Sequence, residues 1–510
     1  LTHPLIGGNM AKIKSIFNLI RDISKGIKIR YFLIRKYNLA YQIRARFFVR
    51  RKVIFMKLVY DINDKPTVKQ NLMFALQEMI AIMAATLLVP ILMTQYGLPS
   101  DPAAALLGAG IGTLVYIFCT KKKSPVFLGS SFAFLGAYAT SISSGYGYWG
   151  VIIGVAIAAL VYVIFALIIK AVGSGWVNKL LPAVIAGPIV SLIGLSLSGT
   201  ATSWMSTNGG SEYSLITIAI GLITFFSIVV ASVKGSKSMQ LFPFVIGIGV
   251  GYVVALVLTL IGNATDNAAL QILDFSVFTK TFVPFTLSSI VDYPKIFLLR
   301  AIQTNGEYLP IDLTAIINLI LVFAPLSVVL LCEHIGDHKN VSNIINKDLI
   351  TDPGLDKTLM GDGIGSFVGT VFGCCANTTY GESVACVAIT GNASVSTLFY
   401  TSFGCILLSF FTPFITLINS IPKCVMGGAC VALYGFIAAS GLQLLAKVDL
   451  SDNKNLYPVA AIFVCGIGGL VLNFGYNPVT EGPLISITSL AVAMIVGIIT
   501  RKICGKGKEL

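Results

Sequence analysis

Between Ser124 and Ile169 the chain runs for 46 residues without an Asp, Glu, Lys or Arg, and between Ser383 and Pro422 for another 40. A bilayer-spanning helix needs about 20 predominantly apolar residues, so each run has the length of two crossings. Backbone in hydrocarbon must satisfy its own hydrogen bonds, which leaves helices as the spanning form for such runs. Only 11% of the 510 residues are charged, against ~25% in soluble domains, so there is too little polar surface to enclose several aqueous cores. The chain reads as an all-α polytopic membrane protein and not as an ordinary cytosolic enzyme.

A net charge of +14 would suit a nucleic-acid binder, but its distribution removes that partner. Residues 1–55 hold 13 Lys/Arg and one acid, leaving 23 basic and 21 acidic residues for the other 455. No apolar stretch in residues 1–55 is long enough for a signal or a span. Three readings fit this segment: a basic arm on anionic lipid, a presequence, or a stretch upstream of the true start. The third is favoured, because Met56 opens a short polar lead into the first apolar run. The ten cysteines are scattered and the three histidines form no cluster, so neither metal nor other cofactor is expected.

Apolar runs of spanning length lie near 71–95, 102–119, 126–142, 149–169, 180–198, 214–233 and 239–262. After a polar connection (263–311) come 313–336, 358–375, 379–390, 395–418, 424–446, 456–473 and 482–500. Lys121, Lys122 and Lys123 follow the second run, Lys170 and Lys179 the fourth, Lys234 and Lys237 the sixth, and Arg501, Lys502, Lys506 and Lys508 the last. Short cytoplasmic loops collect Lys and Arg, so both termini are expected in the cytoplasm and the connection outside. Seven spans per half then force the second half to enter from the opposite side. The expected organisation is an inverted repeat, residues 56–262 and 312–510.

Inverted repeats place their ligand site at interrupted segments in corresponding positions of the two halves. Gly129-Ser130-Ser131-Phe132 and Asn377-Thr378-Thr379-Tyr380-Gly381-Glu382 are such a pair, each with two hydroxyl residues before an aromatic. They are poor helix material and good extended material. Extended backbone at membrane depth is tolerated only against protein or a water-filled cavity. The helix after each would aim its positive end at the gap. The competing reading is a pair of small-residue packing faces.

Acidic residues within the runs are Glu78, Glu333 and Glu382, with Asp337 and Asp362 near run ends. A carboxylate at the bilayer centre costs roughly 2.5–3.5 kcal/mol, so each is a functional candidate. Glu333 and Glu382 could reach one cavity and accept N–H groups from a flat ligand, with Phe132, Tyr380 and Tyr434 stacking on its faces. Asp337, one turn from Glu333, could tune it or cap the helix end in water. His334 follows Glu333 by one position and faces about 100° away, so packing is favoured over a direct role. Glu78 could be interfacial.

These residues stand within longer strings: Ala85-Thr86-Leu87-Leu88-Val89-Pro90, Leu128-Gly129-Ser130-Ser131-Phe132-Ala133-Phe134, Glu333-His334-Ile335-Gly336, Asp352-Pro353-Gly354-Leu355, Asn377 to Glu382, and Val425-Met426-Gly427-Gly428. The chain thereby resembles the nucleobase/ascorbate transporter family, and within it is most similar to the bacterial uracil permeases. That resemblance implies fourteen segments in two inverted sevens, a core and a gate domain, and short antiparallel strands in segments three and ten. It implies that Glu333 and Glu382 bind the base, helped by the backbone amides of Phe132 and Gly381. Ala85, Tyr380 and Tyr434 would line the pocket. It further implies uptake of uracil with a proton by movement of core against gate in a homodimer, and Glu333, Asp337 and His338 are the candidates for proton coupling. The sequence departs from the family at Glu78 and Asp337, where histidine is usual, and at Ser383-Val384-Ala385. Xanthine or another purine is the nearest rival substrate. Anion transport on the same fold would want a basic residue at the half-helix ends, and an enzyme would want a nucleophile–base pair or metal set that the sequence lacks.

Overall fold

The computed structural model describes residues 58–176, 182–373, 375–476, 483 and 485–507. The basic segment 1–55, Met56, Lys179, Cys374 and Lys508 lie outside the described residues. The first part of the fold comprises α1 (Val68–Gln95), α2 (Pro102–Cys119), β1 (Leu128–Ser130), α3 (Leu135–Ser143), α4 (Gly147–Val172), α5 (Ala183–Ser196), α6 (Ser198–Thr207), α7 (Leu215–Lys234) and α8 (Pro243–Ala264). The polar connection carries the short helices α9 (Ser276–Phe282) and α10 (Phe297–Gln303). Then follow α11 (Leu313–Ile345), α12 (Leu355–Gly373), β2 (Asn377–Thr379), α13 (Gly381–Thr390), α14 (Val395–Ser409), α15 (Thr412–Asn419) and α16 (Lys423–Leu445). The fold ends with α17 (Asn453–Ile467), β3 (Leu472–Phe474), β4 (Ile485–Ile487) and α18 (Ser489–Cys504).

Helix starts follow capping chemistry. Thr67 and Gln70 form a reciprocal capping box before α1, Asp101 caps α2 with Pro102 at its first position, and the Asp312 carboxylate accepts from Ala315 N–H (2.7 Å) at the head of α11. Among the described residues, eight helices are long and apolar enough to cross a membrane, with α5 and α6 counted as one. α3, α13 and α14 are apolar but shorter. Fourteen crossings were expected from the sequence, and length and composition meet that at eight. α7 and α8 expose Phe226, Val230, Val253, Val257 and Leu260, an apolar surface that lipid accepts and water would not.

Helix α2 packs on α12 and α14, and α12 also on α4; a second group joins α5 to α16 and α17, and α16 to α6 and α7. Both central contacts depend on missing side chains. A Cβ on Gly108 would lie 2.3 Å from Gly369 O, and one on Gly194 would lie 2.3 Å from Tyr434 O. Close backbone approach through small residues is the usual way membrane helices associate.

Several boundaries differ from the sequence expectation. The run 313–336 is a 33-residue helix reaching Ile345, because polar residues past Gly336 have partners inside the protein. The run 395–418 breaks at Phe410 and Phe411, where Pro413 opens α15. The run 180–198 continues into α6. Leu472–Phe474 and Ile485–Ile487, read as parts of helices, pair as an antiparallel hairpin.

The lead before α1 is held down by Lys347 Nζ, which donates to Asp61 Oδ2 at 2.6 Å. Partial burial of the Asp61 carboxyl is outweighed by that bond and by the Ile62 N–H, so its pKa lies below the usual aspartate value. A depressed pKa means the bond stabilises above the unfolded pKa and is lost as pH falls through the folded one. Both side chains are more than a third exposed, so Asp61→Asn is expected to cost only about 0–1 kcal/mol, checked by thermal unfolding at neutral and acid pH.

Candidate functional site

The two interrupted segments meet. β1 and β2 are antiparallel, with Leu128 opposite Thr379, Gly129 opposite Thr378 and Ser130 opposite Asn377. Two further bonds extend the ladder: Ser131 N–H donates to Ala376 O (2.8 Å) and Tyr380 N–H to Phe127 O (3.1 Å). A two-stranded ribbon at membrane depth must cover its outer edges. Here Thr113 Oγ1 donates to Leu128 O (3.1 Å), Asn377 Nδ2 donates to Gly108 O (3.0 Å), and Ser366 Oγ donates to Asn377 O. Helices α2 and α12 thus supply the missing partners. Above the ribbon, the Tyr380 hydroxyl donates to Ser130 O (2.9 Å) and accepts from Thr86 Oγ1 (3.4 Å). Its ring covers Gly129, where a Cβ would stand 2.3 Å from ring carbons.

A cavity of about 410 Å³, counting the part open to solvent, lies at the strand ends. Ala85, Phe132, Glu333, Tyr380, Gly381 and Glu382 all line it, together with Ser130, Ser131, Ala133, Ile193, Thr378, Thr379, Leu433 and Ile437. Tyr434 stands outside the lining, with its ring edge-on to Phe132 at 5.7 Å. Phe132 and Gly381 open helical segments, so their amides have no acceptor in a preceding turn. Glu382 sits in the first turn of α13, where the helix dipole favours negative charge. The buried hydroxyls of Ser130, Ser131 and Thr378 have no hydrogen-bond partner among the described residues. Buried polar atoms are ordinarily satisfied, so three orphans in one cavity lining point to a polar ligand. The lining contains no Lys, Arg or His.

Other polar residues sit behind this wall. Asp337 does not cap a helix end; its Oδ2 accepts from Thr379 Oγ1 (2.8 Å), and α11 continues for two more turns. His334 is fully buried, with Nδ1 2.7 Å from Asp362 Oδ2 and Nε2 3.0 Å from Thr358 Oγ1. His338 stacks on it at 4.1 Å and lies within bonding distance of Tyr116 (2.7 Å) and Ser124 (3.3 Å), so it has no place in the cavity lining. Glu78 is 7% exposed, enclosed by protein. Sequence reasoning did not pick out Ile193, Leu433 or Ile437, which come from helices remote in sequence. Nor did it foresee the His334–Asp362 pair, since nothing in the spacing of positions 334 and 362 signals contact.

A cavity between two interrupted helices of a polytopic chain, faced by half-helix ends, defines the class of membrane permeases. Residues 69–474 match the family model described as "Permease family", and the chain belongs to that family, in keeping with its motifs. It is 36% identical to the uracil permease of Bacillus caldolyticus over 445 residues, covering 87% of this chain and 94% of that one. The uracil permeases of Bacillus subtilis (strain 168) and Escherichia coli (strain K12) are 32% and 30% identical, covering 97% and 94% of their lengths and 89% and 86% of this chain. Among solved structures, the chain resembles the transmembrane domain of a cyanobacterial bicarbonate transporter, BicA, with a TM-score of 0.50 at 14% identity over 86% of this chain and 98% of that one. It also resembles the murine Slc26a9 anion transporter, with a TM-score of 0.52 at 10% identity over 86% of this chain and 69% of that one. At such identities the likeness concerns the fold alone.

Proposed function

We propose that the chain is a secondary active carrier that imports a nucleobase, uracil foremost, together with a proton. The observation that carries this reading is the convergence of Glu333 and Glu382 on one cavity with three unpartnered hydroxyls and no cationic side chain. Carboxylates accept N–H groups, and a pyrimidine dione presents N–H and C=O on neighbouring edges. Glu333 and Glu382 would take the N–H groups, and the amides of Phe132 and Gly381 the carbonyls. Tyr380 and Phe132 would flank the ring, Ala85 would leave room for it, and Tyr434 would support Phe132 from behind. Of the proton-coupling candidates, Glu333 lines the cavity and Asp337 stands behind it on Thr379, whereas His338 is enclosed elsewhere.

The uracil permeases among the relatives support the substrate class. The reading further takes the carrier as two inverted sets of seven segments in which a core moves against a gate, with both termini cytoplasmic and the carrier a homodimer in the cell membrane; two separately packed helix groups suit a core and a gate. A purine such as xanthine is the second reading, since the same donors and acceptors could read its six-membered ring. Anion transport on this fold is disfavoured by the two carboxylates and the absence of Lys or Arg from the lining. Equilibrium binding of labelled uracil to the purified protein, competed by uracil, xanthine and bicarbonate, separates the three. Displacement by uracil alone is expected; displacement by xanthine moves the assignment to purines, and binding of bicarbonate with none of uracil overturns it.

A further inference from the structure

Glu78 lies on α1 two turns before Ala85 of the ligand cavity, and no ion pair of the described residues includes it. Its partners are hydroxyls: Ser383 Oγ donates to Oε1 (2.7 Å), and Thr401 Oγ1 is 3.0 Å from Oε2. The titratable side chains facing it from the packed helices are Cys386 of α13 and Cys405 of α14, neither of them cationic.

The surrounding bonds distinguish its two protonation states. Phe127 N–H donates to Ser383 Oγ (3.0 Å), which spends its single proton on Glu78 Oε1. Thr401 has one proton and two acceptors within reach, Glu78 Oε2 and Thr397 O (3.1 Å). With a proton on Oε2, Glu78 donates to Thr401 and Thr401 donates to Thr397, and every group is satisfied. Without it, Thr401 must turn to the carboxylate, and a full charge stays buried with two neutral donors, a costly arrangement. A narrow crevice with room for about one water is lined by Glu78, Pro125, Thr390 and Asn392, the last two positions lying at the end of α13 and in the loop after it. Water there can exchange a proton with the carboxyl. Ser383 directly follows Glu382, and Phe127 directly precedes β1, so the state of Glu78 acts on both walls of the ligand cavity.

We propose that Glu78 takes up and releases the proton that is coupled to transport, through the crevice lined by Pro125 and Asn392. This rests on the reading of the chain as a proton-coupled carrier and names the carboxyl that reading leaves open. Glu78→Gln keeps the size and the hydrogen-bonding atoms and fixes the neutral state. In proteoliposomes E78Q is expected to exchange labelled uracil for unlabelled uracil at the wild-type rate but to lose accumulation under an inward proton gradient. Wild-type uracil affinity is expected to change by up to about tenfold per pH unit for one linked proton, and E78Q affinity to stay flat. Infrared difference spectra of the substrate-free protein across pH should show one carboxylic-acid band that is absent in E78Q and displaced in Thr401→Val. Wild-type accumulation by E78Q, identical infrared titrations in both proteins, or accumulation by the wild type under a sodium gradient alone would overturn the proposal. If E78Q does not reach the membrane, an undisplaced band in T401V overturns it. A wild-type protein that exchanges no nucleobase would sink the substrate assignment instead, while the infrared band still decides the role of Glu78.

Discussion

Glu382→Gln is expected to weaken uracil binding about 30- to 150-fold while leaving the purified protein folded and monodisperse. Glu382 lies in the first turn of α13 and lines the cavity, where its charge is favoured by the helix end. The amide in glutamine keeps the volume but presents an N–H to a ligand N–H on one side. A lost charge-assisted bond with a mispaired donor costs about 2–3 kcal/mol, roughly a 30- to 150-fold fall in affinity. Glu333→Gln should give a loss of similar size, and the double variant less than the product of the two, because both residues hold one ring. Unchanged uracil binding by E382Q would remove the residue from the site.

Gly129→Ala should be the more damaging change to the fold. The added methyl would stand 2.3 Å from the Tyr380 ring. That ring cannot swing away freely, because its hydroxyl is tied to Ser130 O and Thr86. Overpacking of this kind costs about 1–3 kcal/mol, and here the strain falls on the strand pair that shapes the cavity. Reduced thermal stability with loss of uracil binding is the expected result. Tyr380→Phe in the G129A background should not relieve the stability loss, whereas Tyr380→Ala should recover part of it, since only the latter removes the ring. A G129A protein as stable and active as the wild type would contradict the close contact.

Much of this was legible because membrane depth restricts what a sequence can do. The charge-free runs gave helices, and the hydroxyl–aromatic stretches at Ser130 and Thr378 gave the strands, since their residues suit neither a long helix nor lipid. What remained hidden depends on tertiary partners. The polar string from Glu333 to His338 reads like a helix leaving the membrane, yet α11 goes on to Ile345 because Asp337 meets Thr379, and His338 meets Tyr116 and Ser124. Glu78 reads as an interfacial residue until Ser383 and Thr401, more than 300 positions away, are seen to enclose it. The β3–β4 hairpin was missed because short apolar runs have no period that separates strand from helix.

The central claim, that this cavity carries uracil with a proton, is tested most directly by labelled-uracil accumulation in proteoliposomes with and without an inward proton gradient, in the presence of unlabelled bases. Gradient-driven accumulation that unlabelled uracil blocks is the predicted result. Uptake that ignores the proton gradient, or none of uracil with transport of a purine or an anion in its place, would contradict it.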